Sequence, residues 1–112
     1  MTRLNISQEI GTPNAILLRF GIEMFNKIQC VLNADEIVVL DFKGMNAIST
    51  AFFHGSIGKL YQLLKEDFDT RIKVENMGKE EWIIKYEDAI ESVKFPEIEK
   101  VRQQAVNALF ED

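Results

Sequence analysis

Ile37-Val38-Val39-Leu40-Asp41-Phe42, then Lys43-Gly44-Met45-Asn46 and Ala47-Ile48-Ser49-Thr50, form the stretch whose reading decides the fold. Three β-branched residues and a leucine in an unbroken apolar run predict a strand buried on both faces, as in a parallel sheet covered by helices. A polar turn containing Gly44 closes that strand. From residue 51 to 64, Phe53, Ile57, Leu60 and Leu64 recur at helical spacing, flanked by Phe52 and Leu63. A helix therefore packs back on the sheet. Between strand and helix lies a loop carrying two hydroxyls, Ser49 and Thr50. In open α/β sheets, functional groups gather beyond the C-terminal ends of the strands, where this loop falls.

Upstream, Leu4, Ile6 and Ile10 alternate with Asn5, Ser7 and Glu9, the period of a half-buried strand. Gly11-Thr12-Pro13 ends it, with Thr12 suited to an N-cap and Pro13 to a first helical position. A long helix is predicted over residues 14–32. One seam is Leu17, Met24, Ile28 and Val31; a second is Leu18, Ile22, Phe25 and Leu32. Arg19 and Glu23, one turn apart on its polar stripe, are placed to pair. So broad an apolar face predicts contact with more than the sheet alone.

Downstream, the second helix ends near Glu66. Arg71-Ile72-Lys73-Val74-Glu75 alternates charged and apolar residues, which suits a strand near a sheet edge. A third helix over residues 80–93 places Trp82, Tyr86, Ala89, Ile90 and Val93 on one inward stripe. Phe95-Pro96 breaks it, and Pro96 opens a last helix with Ile98, Val101, Ala105, Ala108 and Leu109 inward. The order reads β-α-β-α-β-α-α. It predicts one α/β domain over residues 1–112, with a few-stranded mixed or parallel sheet packed with helices and an additional C-terminal helix over 96–112.

The bulk properties narrow the function. The 112 residues suffice for one hydrophobic core without disulfides or metals. An apolar fraction of 46% and a charged fraction of 28% are ordinary for a globular protein. A net charge of -5 and a pI near 4.9 argue against nucleic acid or an anionic membrane as the main partner. The single cysteine, Cys30, permits no intramolecular disulfide and suits a reducing cytosol. There is no apolar signal segment at the N-terminus, and no run approaches membrane-spanning length. A soluble cytosolic protein is expected.

With these elements placed, the chain resembles the STAS-like domains of unknown function, distant relatives of the anti-sigma factor antagonists. The likeness rests on Val38-Val39-Leu40-Asp41-Phe42-Lys43-Gly44-Met45 and on Ile48-Ser49-Thr50-Ala51-Phe52. Arg19 and Val74-Glu75-Asn76-Met77 fit more weakly. The resemblance extends from about Ile6 to Val93. It implies a small STAS-like fold and a non-enzymatic regulatory module for protein–protein interaction, often bacterial and often paired with a histidine-kinase-like ATPase. In the anti-sigma factor antagonists, the loop after the central strand carries a Ser or Thr whose phosphorylation switches binding off. Carried over by register, that implies Thr50 first and Ser49 second as phosphoacceptors.

Each candidate also has a plainer role. Ser49 and Thr50 stand where hydroxyls cap helix N–H groups, a contribution of about 1 kcal/mol. Asp41 is expected to structure the loop by accepting from the N–H groups of Lys43 and Gly44. Lys43, Gly44, Met45 and Asn46 in the loop, with His54, Gly55 and Gly58 in the following helix, are the expected partner-binding surface. Gly55 and Gly58 also suit a close approach by another element, but match no phosphate-binding glycine pattern. His54 is the sole histidine, and no metal site, catalytic cluster or cofactor motif accompanies it. Cys30 reads as a small core residue, and Trp82 and Tyr86 as core.

A phosphoswitched interaction module is therefore the first expectation. A constitutive assembly or homodimerisation module without a switch is the alternative, favoured by the lack of an acidic residue just before the acceptor position. A small enzyme or nucleotide-binding domain lacks a supporting cluster of side chains.

Overall fold

The computed structural model describes residues 1–34 and 37–95. In chain order these form β1 (Thr2–Asn5), α1 (Ile6–Ile10), β2 (Asn14–Ala15), α2 (Leu18–Ala34), β3 (Val38–Asp41), β4 (Ala47–Ile48) and α3 (Thr50–Phe53). A π turn (His54–Gly58) leads into α4 (Lys59–Leu64), and a 3-10 turn (Lys65–Asp67) into α5 (Phe68–Arg71), β5 (Ile72–Glu75) and α6 (Glu80–Lys94). The main sheet is three-stranded and parallel, in the order β1-β3-β5. Val38 sits between Thr2 and Ile72, and Asp41 between Asn5 and Glu75. All four residues of β3 are buried, Val38, Val39 and Leu40 as an unbroken apolar run requires. The predicted α/β class with a small parallel sheet packed against helices is what the structure contains. The helix expected from Pro96 lies outside the described residues.

Several elements differ from the sequence reading. The first strand stops at Asn5, because the Asn5 carboxamide oxygen accepts from the Gln8 N–H and caps α1. The long helix begins at Leu18, not Asn14. Asn14 and Ala15 pair instead with Ala47 and Ile48 in a separate two-stranded parallel ladder. Thr12 caps no helix; its hydroxyl accepts from the Asn14 N–H at 3.2 Å and turns the chain into β2. The helix expected over residues 51–64 contains a π turn.

That π turn sits at a close crossing with α2. α2 buries Gly21, Met24, Ile28 and Leu32, so one seam drawn from both predicted ones faces the core. At Gly21, a Cβ would stand 2.5 Å from the Phe52 carbonyl oxygen and 3.2 Å from the Gly55 Cα. No side chain fits there. Gly55 is equally tight against α2, its Cβ position lying 2.9 Å from Leu18 Cδ1 and 3.3 Å from Leu18 O. On the opposite side, a Cβ at Gly58 would stand 3.7 Å from Ala89 O of α6, an ordinary contact. In an α-helix two residues three apart lie only about 60° apart around the axis. The wider π turn advances less per residue, so Gly55 and Gly58 spread apart and meet two different helices. Ser56, buried between them, donates its hydroxyl to Phe52 O at 2.7 Å, so no polar atom is stranded.

The core beneath is aromatic. Phe42, Phe52, Phe53 and Phe68 are fully buried, and each contributes about 1.5–3 kcal/mol by burial. Phe53 joins two of them to α6: its ring centroid lies 6.0 Å from Phe42, 5.7 Å from Phe52 and 6.0 Å from Tyr86, the last two edge-on.

The C-terminal ends of the three strands are tied by Asp41. Its Oδ1 accepts from Asn76 Nδ2 at 2.7 Å and from the Lys43 N–H at 3.0 Å. Arg3 lies 3.5 Å from Asp41 Oδ2 and 2.5 Å from Glu75 Oε2, so one guanidinium spans all three strands. The Asn76 amide first, then the Lys43 N–H and the Arg3 charge, hold the Asp41 carboxyl below its ordinary value.

Two outcomes test this framework. Gly21→Ala removes a helical glycine, which on propensity alone would stabilise by about 1 kcal/mol. Overpacking against backbone reverses the sign here, and urea denaturation should show a loss of roughly 1–3 kcal/mol. For Asp41→Asn, the loss at neutral pH should be about 1–3 kcal/mol, the worth of hydrogen bonds to a charged group. Because the folded pKa is depressed, wild-type stability from Asp41 is present above the unfolded value near 3.9 and lost as pH falls through the folded one. The two stability curves should therefore converge in acid, as measured by denaturation at stepped pH.

Candidate functional site

The loop between β3 and α3 is held from both sides. Gly44 takes the left-handed conformation (φ +87°) that its turn demands, with the Met45 N–H donating to Phe42 O at 3.2 Å. Asn5 Nδ2 donates to Lys43 O at 3.1 Å, fixing the start of the loop on β1. The N–H groups of Asn46 and Ala47 donate to Pro13 O at 2.7 and 3.2 Å, and Ser49 N–H to Ala15 O at 2.9 Å. Asn46 Nδ2 also donates to Asn14 Oδ1 at 3.0 Å. On the other side stand two lysines of the α6 region. Lys85 Nζ donates to Ile48 O at 3.1 Å, and Lys79 Nζ to Asn46 O at 3.4 Å.

The two hydroxyls have different occupations. Ser49 is the N-cap of α3: its Oγ accepts from the Phe52 N–H at 3.1 Å and donates to Ile16 O at 2.9 Å. Thr50, the first residue of α3, is exposed, and its hydroxyl makes no hydrogen bond among the described residues. Ile16, Leu17, Leu18 and Ile22 are exposed by 53, 45, 51 and 36%. The Ser49–Ile16 bond joins this apolar patch directly to the loop.

Of the other residues singled out in the sequence, Asp41 structures the loop through the Lys43 N–H as expected. Lys43, Gly44 and Asn46 are exposed, and Met45 is half-buried against the core. His54 is half-exposed, its Nε2 3.9 Å from Asp88 Oδ2 of α6. Gly55 and Gly58 require a correction. Both are buried between α2 and α6, and belong to the helix crossing rather than to an accessible surface. Cys30, read as core, is exposed on α2. Trp82 is core, and Tyr86 packs against it with its phenol pushed up to about 12 by burial, so the ring is a neutral packing element at pH 7.

Two features are hidden, wholly or in part, in the linear sequence. Lys79 and Lys85 lie among glutamates on and beside a helix, and nothing in their spacing points at a loop more than 30 residues upstream. The patch from Ile16 to Ile22 is signalled only in part: the breadth of the apolar face predicts contact beyond the sheet, but the displacement of α2 by β2 is not visible in periodicity.

Among the described residues, no helix is long and apolar enough to cross a membrane, and no group of three His, Cys, Asp or Glu side chains could hold a metal ion. No curated protein and no solved structure matches the chain. A family model described as a STAS-like domain of unknown function matches residues 21–82, from the glycine at the helix crossing through the hydroxyl loop to Trp82. That span is more than half of the chain, and the protein belongs to the STAS-like domain family of unknown function.

Proposed function

We propose that this protein is a non-enzymatic, cytosolic regulatory module that binds a protein partner and is switched by phosphorylation of Thr50, with Ser49 the second acceptor. The partner class is a histidine-kinase-like ATPase, as the likeness to anti-sigma factor antagonists implies. One observation carries the reading: an exposed, unengaged Thr50 hydroxyl stands at the edge of an exposed apolar patch, on a loop held in one shape by β2 and α6. Ser49 is less available, since both its donor and its acceptor capacity are already used.

The chemistry asks little of the module itself. The Thr50 oxygen attacks the γ-phosphorus of ATP held by the partner, an O–P bond forms, the bond to ADP breaks, and the hydroxyl proton passes to a base of the partner. The product places nearly two negative charges beside Ile16, Leu17 and Leu18. A partner surface matched to that apolar patch must then bury a charge or withdraw, so phosphorylation acts as an off-switch.

Protein isolated from its native cells should carry a phosphate-sized mass increase that maps to Thr50 and vanishes in Thr50→Val. The co-purified ATPase should bind Thr50→Asp at least about tenfold more weakly than wild type. Ser49→Asp keeps a good N-cap and tests the second acceptor without unfolding α3. Partner affinity unchanged in both Asp variants would sink the switch and leave a constitutive interaction module.

A further inference from the structure

In an acidic chain with 18 carboxylate and 13 basic side chains, a lysine near a carboxylate is the ordinary arrangement. Among the described lysines Lys27 pairs with Glu9, whereas Lys79 and Lys85 converge on one loop. Neither pairs with a carboxylate among the described residues, and both ammonium groups end on backbone carbonyls of one loop, Asn46 O and Ile48 O. Lys79 also lies over the Trp82 ring, 5.2 Å from its centroid. A neutral carbonyl offers the ammonium a dipole but no opposite charge; a phosphate oxygen in the same place adds one. Ile48 O is two residues from Thr50, a backbone span of at most about 7 Å. The four-carbon stem of Lys85 is flexible enough to cover that step without moving its helix.

We propose that Lys85, assisted by Lys79, is the intramolecular receptor for a phosphate carried on Thr50. The inference rests on the reading that Thr50 is the phosphoacceptor, and adds what the protein does with the modification once made. The Lys85 ammonium turns from Ile48 O to the phosphate. The charge on the loop is thereby clamped to α6, and the carbonyl that held the loop in its unmodified shape is released. Phosphorylation then alters the loop as well as its charge, so the partner meets a different surface. Lys79, held further along the loop and against Trp82, contributes less.

The test installs phosphothreonine at position 50 of the full chain during synthesis, so that no kinase is needed, and follows the phosphate by phosphorus NMR through its second ionisation. A nearby cation favours the dianion. In the wild-type chain the ionisation should lie below the ordinary value near 6, and Lys85→Gln should raise it by about half a unit or more. Lys85→Met, which keeps the apolar stem, should give the same rise, Lys85→Arg should restore the low value, and Lys79→Gln should give a smaller rise. An ionisation identical in wild type, Lys85→Gln and Lys85→Met overturns the proposal, whatever the native phosphorylation state. Conversely, a chain from native cells without phosphate at Thr50 overturns the phosphoswitch while leaving this result intact.

Discussion

The contact between Gly21 and the Phe52 carbonyl is the constraint on which the rest of the structure depends. Any side chain at position 21 would collide with backbone, so α2 and the segment from Thr50 to Gly58 are locked at a distance set by glycine. That lock has two results. It seats Phe52 and Phe53 in the aromatic core, where Phe53 links the sheet through Phe42 to α6 through Tyr86. It also fixes the start of α3, and with it the direction of Thr50. Stability and placement of the candidate site thus come from one close approach. Overpacking there disturbs both.

The loop in front of α3 is built differently from an ordinary surface connection. One edge is a strand pairing with β2, the other a pair of lysine ammonium groups, and its origin is anchored on Asn5 and Asp41. Asp41 is the point at which sheet and loop meet, because the same carboxylate oxygen accepts from the loop at Lys43 and from the end of β5 at Asn76. A polar group buried this deeply is stable only with its partners in place. The loop conformation and the register of the strand ends therefore reinforce each other.

The sequence displayed some of this and concealed the rest. The burial of β3 was legible because four apolar residues without alternation leave few other readings. The edge position of β5 followed from its alternating charges, and the role of Asp41 from its place before a glycine turn. The start of α1 was signalled by Asn5 and Gln8 three residues apart, a capping pair overshadowed by the alternation running through it. The late start of α2 was not legible. Its first turn was displaced by two residues of pairing with a strand more than 30 positions away, and such pairing leaves no local period. The π turn was hidden for a similar reason: apolar spacing over residues 51–64 fits an ordinary helix, and only contact with two flanking helices shows why Gly55 and Gly58 must diverge. Lys79 and Lys85 were invisible because their targets are carbonyl oxygens, which every residue carries.

The ladder of β2 and β4 is only two residues long, and shares no strand with the three-stranded sheet. Its hydrogen bonds can therefore break without unpairing β1, β3 or β5. Regions held by so few bonds open at free energies well below that of global unfolding. The stretch from Asn46 to Thr50 forms such a unit, tethered to a rigid sheet at Asp41 and to a rigid helix crossing at Phe52. The separation of the two sheets therefore lets this short ladder exchange its hydrogen bonds locally while the three-stranded sheet behind it stays paired.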